Sequence, residues 1–537
     1  MTEKKGTSLM LHNFYDTETT GPTPRFDQIL QAAAILTDDD FVELEWIDER
    51  SRLSGHMVPT AGALKVTHVD PYEIARAKHS SYEFAKMLHD TFTGWKSRGR
   101  ELSYTGFNTI RFDEEIMRQC FYENLLDPYI SSGKGTYRND LLTVVRALYA
   151  RNPDCFEVPK REDGRNNFKL ENLAPLNGFE GHDAHDALGD VRATIFVARM
   201  IRDTDRALWE HMLALGNAKA ATDFVDNNPL FRLLGGPMLD PGVLDVCLIA
   251  SEAGNPKNKT AWNLAIDPTP YLDLSAEEIL AKMKTTGTPF RTVKTNKQPA
   301  AFPMNWQFLQ QVSNDTFEPA EPAVIEERAN LILAHEGFRE ATAKALQLKT
   351  EGYEAPTTLE EKIYAGFPSW DDKNRMKSFH ETPDWERRLK IVRAIEKPEM
   401  RQLGIRTIYL NAPEVLSPTL REQIGVKIAE ERHCLSMDKP WTTVGKLMAE
   451  LDEWLEKEPD DPELLNIRAW ALETYPSAVR WTGVPEVADP EDSEKEAQVA
   501  AEADAEAAPE EAAVAPAPAA MAREVEAASA HFLDGLE

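Results

Sequence analysis

An apolar run that stops on two carboxylates constrains this chain more than any other feature. Leu9-Met10-Leu11 leads to Phe14-Tyr15-Asp16-Thr17-Glu18-Thr19-Thr20-Gly21, which reads as a buried strand and its exit. Side chains alternate faces along a strand, so Asp16 and Glu18 point the same way. Two like charges side by side repel, and a cation between them is the usual remedy. An acidic strand end in plain solvent would look the same on this stretch alone.

Two further stretches separate those readings. Gly106-Phe107-Asn108-Thr109-Ile110-Arg111-Phe112-Asp113 precedes a helical pattern over Glu114 to Leu126, which puts a third acid, Asp113, at a loop-to-helix junction. His185-Asp186-Ala187-Leu188-Gly189-Asp190 opens a second run of helical period, carried by Leu188, Val191, Ile195 and Ala198. Five residues apart on one regular helix, His185 and Asp190 would be turned away from each other. They converge only if His185 lies in the loop before the helix or in a frayed first turn. Hard cations take oxygen ligands, and a histidine beside them can deprotonate water. An acid pair, a third acid and a His-x4-Asp therefore suit a two-metal phosphodiesterase.

The order Asp16/Glu18, Asp113, His185/Asp190 resembles the DEDDh family of 3′→5′ exonucleases. The stretches FYDTETTGP, GFNTIRFDEE, FYENLLDPY, NDLLTVVRALYA, FKLENLAPLNG and HDAHDALGDVRATI carry the resemblance over residues 10 to 203, and it continues more weakly to about residue 480. It implies an α/β fold: an RNase H-like exonuclease domain (1–203), an SH3-like β-rich domain (204–352) and an all-helical domain (353–485), followed by a tail (486–537). It implies two Mg²⁺ ions about 3.5–4 Å apart, with Mn²⁺ as a substitute. In that scheme Asp16 bridges the ions, Glu18 and Asp190 hold one, Asp113 supports the other, and His185 takes the proton of the attacking water. It further implies that single-stranded DNA touches Glu18, Arg118, Tyr129, Arg146, Lys169 and Asp183. Cations following phosphates and flat rings stacking on bases fit such a strand without reading its sequence.

The chain departs from the family pattern in two places. The loop Ser131-Ser132-Gly133-Lys134-Gly135 is small where another aromatic is expected. Lys169 stands where arginine is usual, so a point charge replaces a planar fork and bidentate geometry is lost. An enzyme of the same family that proofreads or trims RNA is one alternative; a catalytically silent DNA-binding scaffold is another.

Charge sharpens the choice of partner. The net charge is −30, and the tail from Glu486 holds fifteen acids against Lys495 and Arg523, a balance of −13 that leaves −17 elsewhere. That excludes broad coating of duplex DNA but not a locally basic groove. Residues 279–314 contain no acid and hold Lys282, Lys284, Arg291, Lys294 and Lys297 with Phe290, Phe302 and Trp306. They read as a solvated hairpin face, a channel wall, or a dock for an acidic peptide. The resemblance implies one such peptide, the C-terminal tail of single-strand-binding protein; if it docks on this stretch, charge reversal at Lys294 and Lys297 should weaken it.

The rest bounds organisation. At 537 residues the chain exceeds the roughly 250–300 that one core supports. No stretch approaches the ~20 apolar residues of a membrane span, and the start lacks the apolar core of a signal peptide. Cys120, Cys155, Cys247 and Cys434 have no paired spacing, which points to reduced, buried thiols in a cytoplasm and away from zinc, and a monomer is expected. Gln28 to Thr37 and Phe41 to Ile47, split by Asp38-Asp39-Asp40, read as a hairpin; with the first strand they begin an antiparallel sheet. Pro59 to Pro71 reads as a plain surface loop and helix, whereas the resemblance implies a place near the 3′ nucleotide. Val243 to Ala250 and Thr260 to Ile266 read as strands joined by a Gly/Asn/Pro/Lys turn. Ser275-x-x-Glu278 and Thr358-x-x-Glu361 are capping boxes, and Trp385 to Ile395 and Val444 to Leu455 have helical spacing. The tail of Ala, Glu and Pro has too little apolar surface to offset its ordering entropy and reads as disordered.

Overall fold

A computed structural model describes residues 10–98, 101–180, 187–312, 318–352 and 355–483. The acidic tail expected over 486–537 therefore lies outside the described residues.

Five strands form the first sheet: β1 (Met10–Thr19), β2 (Ile29–Thr37), β3 (Glu43–Arg50), β4 (Glu101–Gly106) and β5 (Thr136–Asp140). Their order is β3-β2-β1-β4-β5, antiparallel from β3 to β1 and parallel from β1 to β5. The hairpin forms where the three aspartates predict it: Asp38 Oδ1 accepts from the N–H groups of Asp40 and Val42. Alternation decides the two faces. Phe14, Ala33 and Ile35 meet the helices Leu141–Arg151, Ala187–Thr204 and Arg206–Leu215. Tyr15, Ala32, Ala34 and Leu36 meet Ser81–Arg98 and Asp113–Glu123.

A second sheet follows, antiparallel throughout: β6 (Leu230–Gly235), β7 (Gly242–Glu252), β8 (Asn255–Asn263), β9 (Phe290–Lys294) and β10 (Ala301–Phe302), in the order β10-β6-β7-β8-β9. Asn255, Pro256 and Lys257 lie within β8 rather than in the expected turn, which is only Ala253-Gly254. The helices Pro322–Ala334 and Glu336–Glu351 cover one face through Ile325, Ile332 and Phe338. Ser275 and Glu278 exchange both bonds of the expected capping box. Phe290 and Phe302, from the acid-free stretch, are buried in cores and form no channel wall. Lys282, Lys284 and Lys294 of that stretch face solvent.

From residue 370 onward the described chain is helical. Trp370–Glu381, Trp385–Arg393 and Pro398–Asn411 pack on Tyr82, Tyr122 and Leu125. Val444–Lys457 and Pro462–Thr474 pack on Leu30, Ala61 and Leu64. The helix Ala61–Val66 is thus no free surface element: Glu450 accepts from the Ala61 and Gly62 N–H groups at 2.8 and 3.1 Å. Thr358 and Glu361 also bond reciprocally, at 3.3 and 3.2 Å. The cysteines are free, but only Cys247 is buried; the other three are partly exposed. No described helix is long and apolar enough to cross a membrane.

Candidate active site

β1 delivers Asp16 and Glu18 to one face at its C-terminal end. The helix Ala187–Thr204 brings Asp190 in its first turn. One carboxylate oxygen from each of Asp16, Glu18 and Asp190 lies within 4.8 Å of the others. Asp16 and Asp190 are half-buried and Glu18 is buried. Burial, and then the charges of Asp113, Glu18 and Asp190, hold the Asp16 carboxyl well above the usual carboxylate range. Such a group gains most from a bound cation, and an all-oxygen donor set suits a hard divalent ion.

Asp113 is the first residue of the helix Asp113–Glu123 and stands outside the three-oxygen cluster. Its Oδ1 accepts from the Thr17 N–H at 3.1 Å and the Thr17 hydroxyl at 2.6 Å. Thr17 lies between the two strand acids and points to the opposite face, toward this helix. Burial pushes Asp113 up to about 6.

The loop before Asp113 is held by a residue that the sequence reading passed over. Asp140 Oδ1 accepts from the Asn108 and Leu142 N–H groups, and Oδ2 from that of Ile110. It caps the helix Leu141–Arg151, and Asp ahead of an apolar helical run is the signal that could have found it. Gly106 is needed at the same turn, because a Cβ there would lie 1.9 Å from Thr109 Cγ2 and 2.9 Å from the Tyr15 carbonyl oxygen.

The residues expected at DNA occupy different environments. Arg118 is buried, donating to Glu114 at 2.7 Å and to Ser132 at 3.1 Å, with its guanidinium 5.7 Å from the Tyr129 ring centre. Tyr129 donates to the Ile363 carbonyl and packs edge-on against Phe367. Arg146 donates to the carbonyls of Pro237 and Met238, and Lys169 pairs with Glu171 at 3.1 Å. His185 and Asp183 lie outside the described residues.

Comparison with known proteins places the chain among exonucleases. An exonuclease family model, RNase_T, matches residues 14–198. Exodeoxyribonuclease I of Escherichia coli K12 is 31% identical over 394 residues, 69% of this chain and 79% of the relative. The Haemophilus influenzae exodeoxyribonuclease I is 30% identical over 387 residues, 69% of this chain and 80% of that protein. Among solved structures, E. coli exonuclease I with a dA16 oligonucleotide superposes with a TM-score of 0.75 at 24% identity, over 87% of this chain and 100% of that one. Exonuclease I of Methylocaldum szegediense gives 0.73 at 23% identity, over 87% and 99%. With its carboxylates gathered at the end of β1 and these relatives matched over most of their length, the chain belongs to the exodeoxyribonuclease I family of DNA exonucleases.

Proposed function

We propose that this protein is a processive 3′→5′ exonuclease that degrades single-stranded DNA to 5′-mononucleotides in DNA repair and recombination. The observation that carries the reading is the convergence of Asp16, Glu18 and Asp190 to within 4.8 Å, with Asp113 beside them. These four acids would hold two Mg²⁺ ions, or Mn²⁺ in their place. When bound, such ions lower the pKa of water and stabilise the leaving oxygen. His185 is the proposed base that accepts the proton of the attacking water. Arg118, Tyr129, Arg146, Lys169 and Asp183 are proposed to position the strand, together with Glu18.

The domain plan proposed is an exonuclease domain over 1–203, an SH3-like domain over 204–352, a helical domain over 353–485 and an acidic tail. The middle antiparallel sheet supports the second assignment. The protein would act as a cytoplasmic monomer, in keeping with its free thiols. One solved structure similar to this chain is an SSB/Exonuclease I complex with an inhibitor, and its TM-score here is 0.72. An equivalent partner, the acidic tail of single-strand-binding protein, suits the exposed Lys282, Lys284 and Lys294. Lys297, which the sequence also offered for that dock, is taken by Glu115.

Single-stranded DNA labelled at its 3′ end tests the reading. Labelled mononucleotide should appear first with Mg²⁺ and not without it, and RNA should survive. Release from RNA alone would move the protein to another branch of the fold, and binding without release would make it a scaffold. His185→Ala should lower turnover by about 10²–10⁴ while sparing metal binding.

A further inference from the structure

Three consecutive residues open the helix Asp113–Glu123, and each points somewhere different. Successive side chains on a helix are about 100° apart. Asp113 meets Thr17 beside the carboxylate cluster. Glu114 turns into the exonuclease core and pairs with Arg118 and Arg138. Glu115 turns about 200° from Asp113, away from the cluster, and its Oε1 comes within 4.0 Å of Arg118 one turn on. Its Oε1 accepts from Lys297 Nζ at 2.9 Å, and its Oε2 from the Tyr364 hydroxyl at 2.6 Å.

Those two donors come from different parts of the chain. Lys297 follows β9 of the middle sheet. Tyr364 ends the short 3₁₀ turn Glu360–Tyr364, in the segment that joins the middle sheet to the helical region. That segment lies along the helix Asp113–Glu123 and reaches the loop after β1. Arg25, just beyond β1, approaches Glu361 at 3.6 Å, and the Tyr122 hydroxyl donates to the Leu359 carbonyl at 3.2 Å. Among the described residues, only at Glu115 does one side chain in this crossing hold both of the other parts through separate oxygens.

We propose that Glu115 is a positioning residue that fastens the middle sheet and the crossing segment to the catalytic helix, and so keeps the DNA strand enclosed between successive cleavages. The inference rests on the single-stranded exonuclease reading above. It adds the side chain through which closure is held. The bonds to Lys297 and Tyr364 exist only while all three parts are together, whereas the 4.0 Å approach to Arg118 stays within the helix, so losing the two bonds acts on the closed arrangement. A charged hydrogen-bonded contact of this kind changes an escape rate by about tenfold.

Full-length Glu115→Ala and Tyr364→Phe are compared with the parent protein. One assay is the number of nucleotides removed per encounter from a long 5′-labelled strand, with excess unlabelled strand as trap. The other is turnover on a saturating short oligonucleotide. Run length should fall about tenfold in Glu115→Ala and about threefold in Tyr364→Phe, with short-substrate turnover within twofold of the parent. The double variant should fall at most slightly below Glu115→Ala, because the hydroxyl has lost its acceptor and keeps only its bond from Arg118. Tyr364→Phe removes one atom from a half-exposed ring, so it keeps the test valid if Glu115→Ala folds poorly. Unchanged run length in the folded variants would overturn the proposal, as would an equal loss on the short substrate. A parent protein that degrades single strands one nucleotide per encounter would overturn it, together with the processivity proposed above, and leave the assignment as a single-strand 3′→5′ exonuclease standing. A parent protein that releases nothing would overturn both.

Discussion

The Thr17 hydroxyl donates to Asp113 Oδ1 at 2.6 Å, tying the residue between the two strand acids to the acid that opens the catalytic helix. The Thr17 N–H reaches the same oxygen at 3.1 Å, so the strand sets that carboxylate's position by two bonds. Thr17→Val keeps the shape and the backbone bond but removes the hydroxyl. A hydrogen bond to a charged group contributes about 1.5–3 kcal/mol, so nucleotide release should fall roughly tenfold or more. The Mg²⁺ concentration for half-maximal activity should rise as well. A variant with the parent's metal curve would show that Thr17 does not position Asp113.

Crowded carboxylates cost stability when no cation is present. Burial and three neighbouring acids raise the Asp16 carboxyl, which means its ionised form is disfavoured in the folded chain. Asp16→Asn removes one charge from the cluster with little change in shape. In chelator-treated buffer at pH 7 the variant should be more stable than the parent by about 1–2 kcal/mol. Adding Mg²⁺ should raise the parent's melting temperature and leave the variant's nearly unchanged, because only a folded state with an intact site gains from the ion. Nuclease activity should be lost. A variant melting below the parent in chelator would sink this account of the cluster.

Much of the site could be read because its elements are local and strongly patterned. The apolar run before Asp16, the strand Glu101–Gly106 and the period from Leu188 onward fix which faces are buried, and the acids follow from that. What could not be read was long-range pairing. Lys297 and Tyr364 lie 182 and 249 residues from Glu115, and no periodicity in the chain links them. The acid-free stretch misled for a related reason. Its aromatics were needed in cores between sheet and helices, and that demand is set by tertiary packing rather than by nearby charge. Arg118 was drawn inward by Glu114, one turn before it on the helix, a pairing that i,i+4 spacing permits but does not require.

A second buried ion network joins the crossing segment to the helical region. Arg406 donates to Glu360 at 2.6 Å and to Glu123 at 3.0 Å, and Arg432 lies 3.4 Å from Glu360. Arg406→Met would leave two largely buried carboxylates with only Arg432 nearby. Removing one partner from such a network costs about 3–5 kcal/mol. The first urea transition should move to lower concentration by that amount, with the change concentrated in the helical region. A shift under 1 kcal/mol would mean that water already screens these charges.

His380 gives the same region a dependence on pH. Its Nε2 lies 2.9 Å from the Leu125 carbonyl oxygen and its Nδ1 lies 3.1 Å from the Tyr82 hydroxyl, joining the helix Trp370–Glu381 to the exonuclease core. Burial pushes its pKa down from 6.5 to about 4. An unfolded chain takes up this proton below pH 6.5, whereas the folded one takes it up only near pH 4. The stability linked to His380 is therefore complete above pH 6.5 and is lost as pH falls toward 4, a total of about 3 kcal/mol. His380→Gln keeps a donor for the Leu125 carbonyl and removes the titration. Between pH 7 and pH 4.5 the parent should lose about 2–3 kcal/mol more than the variant, read as the difference between their urea midpoints at each pH. Acidic side chains titrate in both proteins and cancel in that comparison. Equal losses would place the His380 ring in water rather than between the two domains.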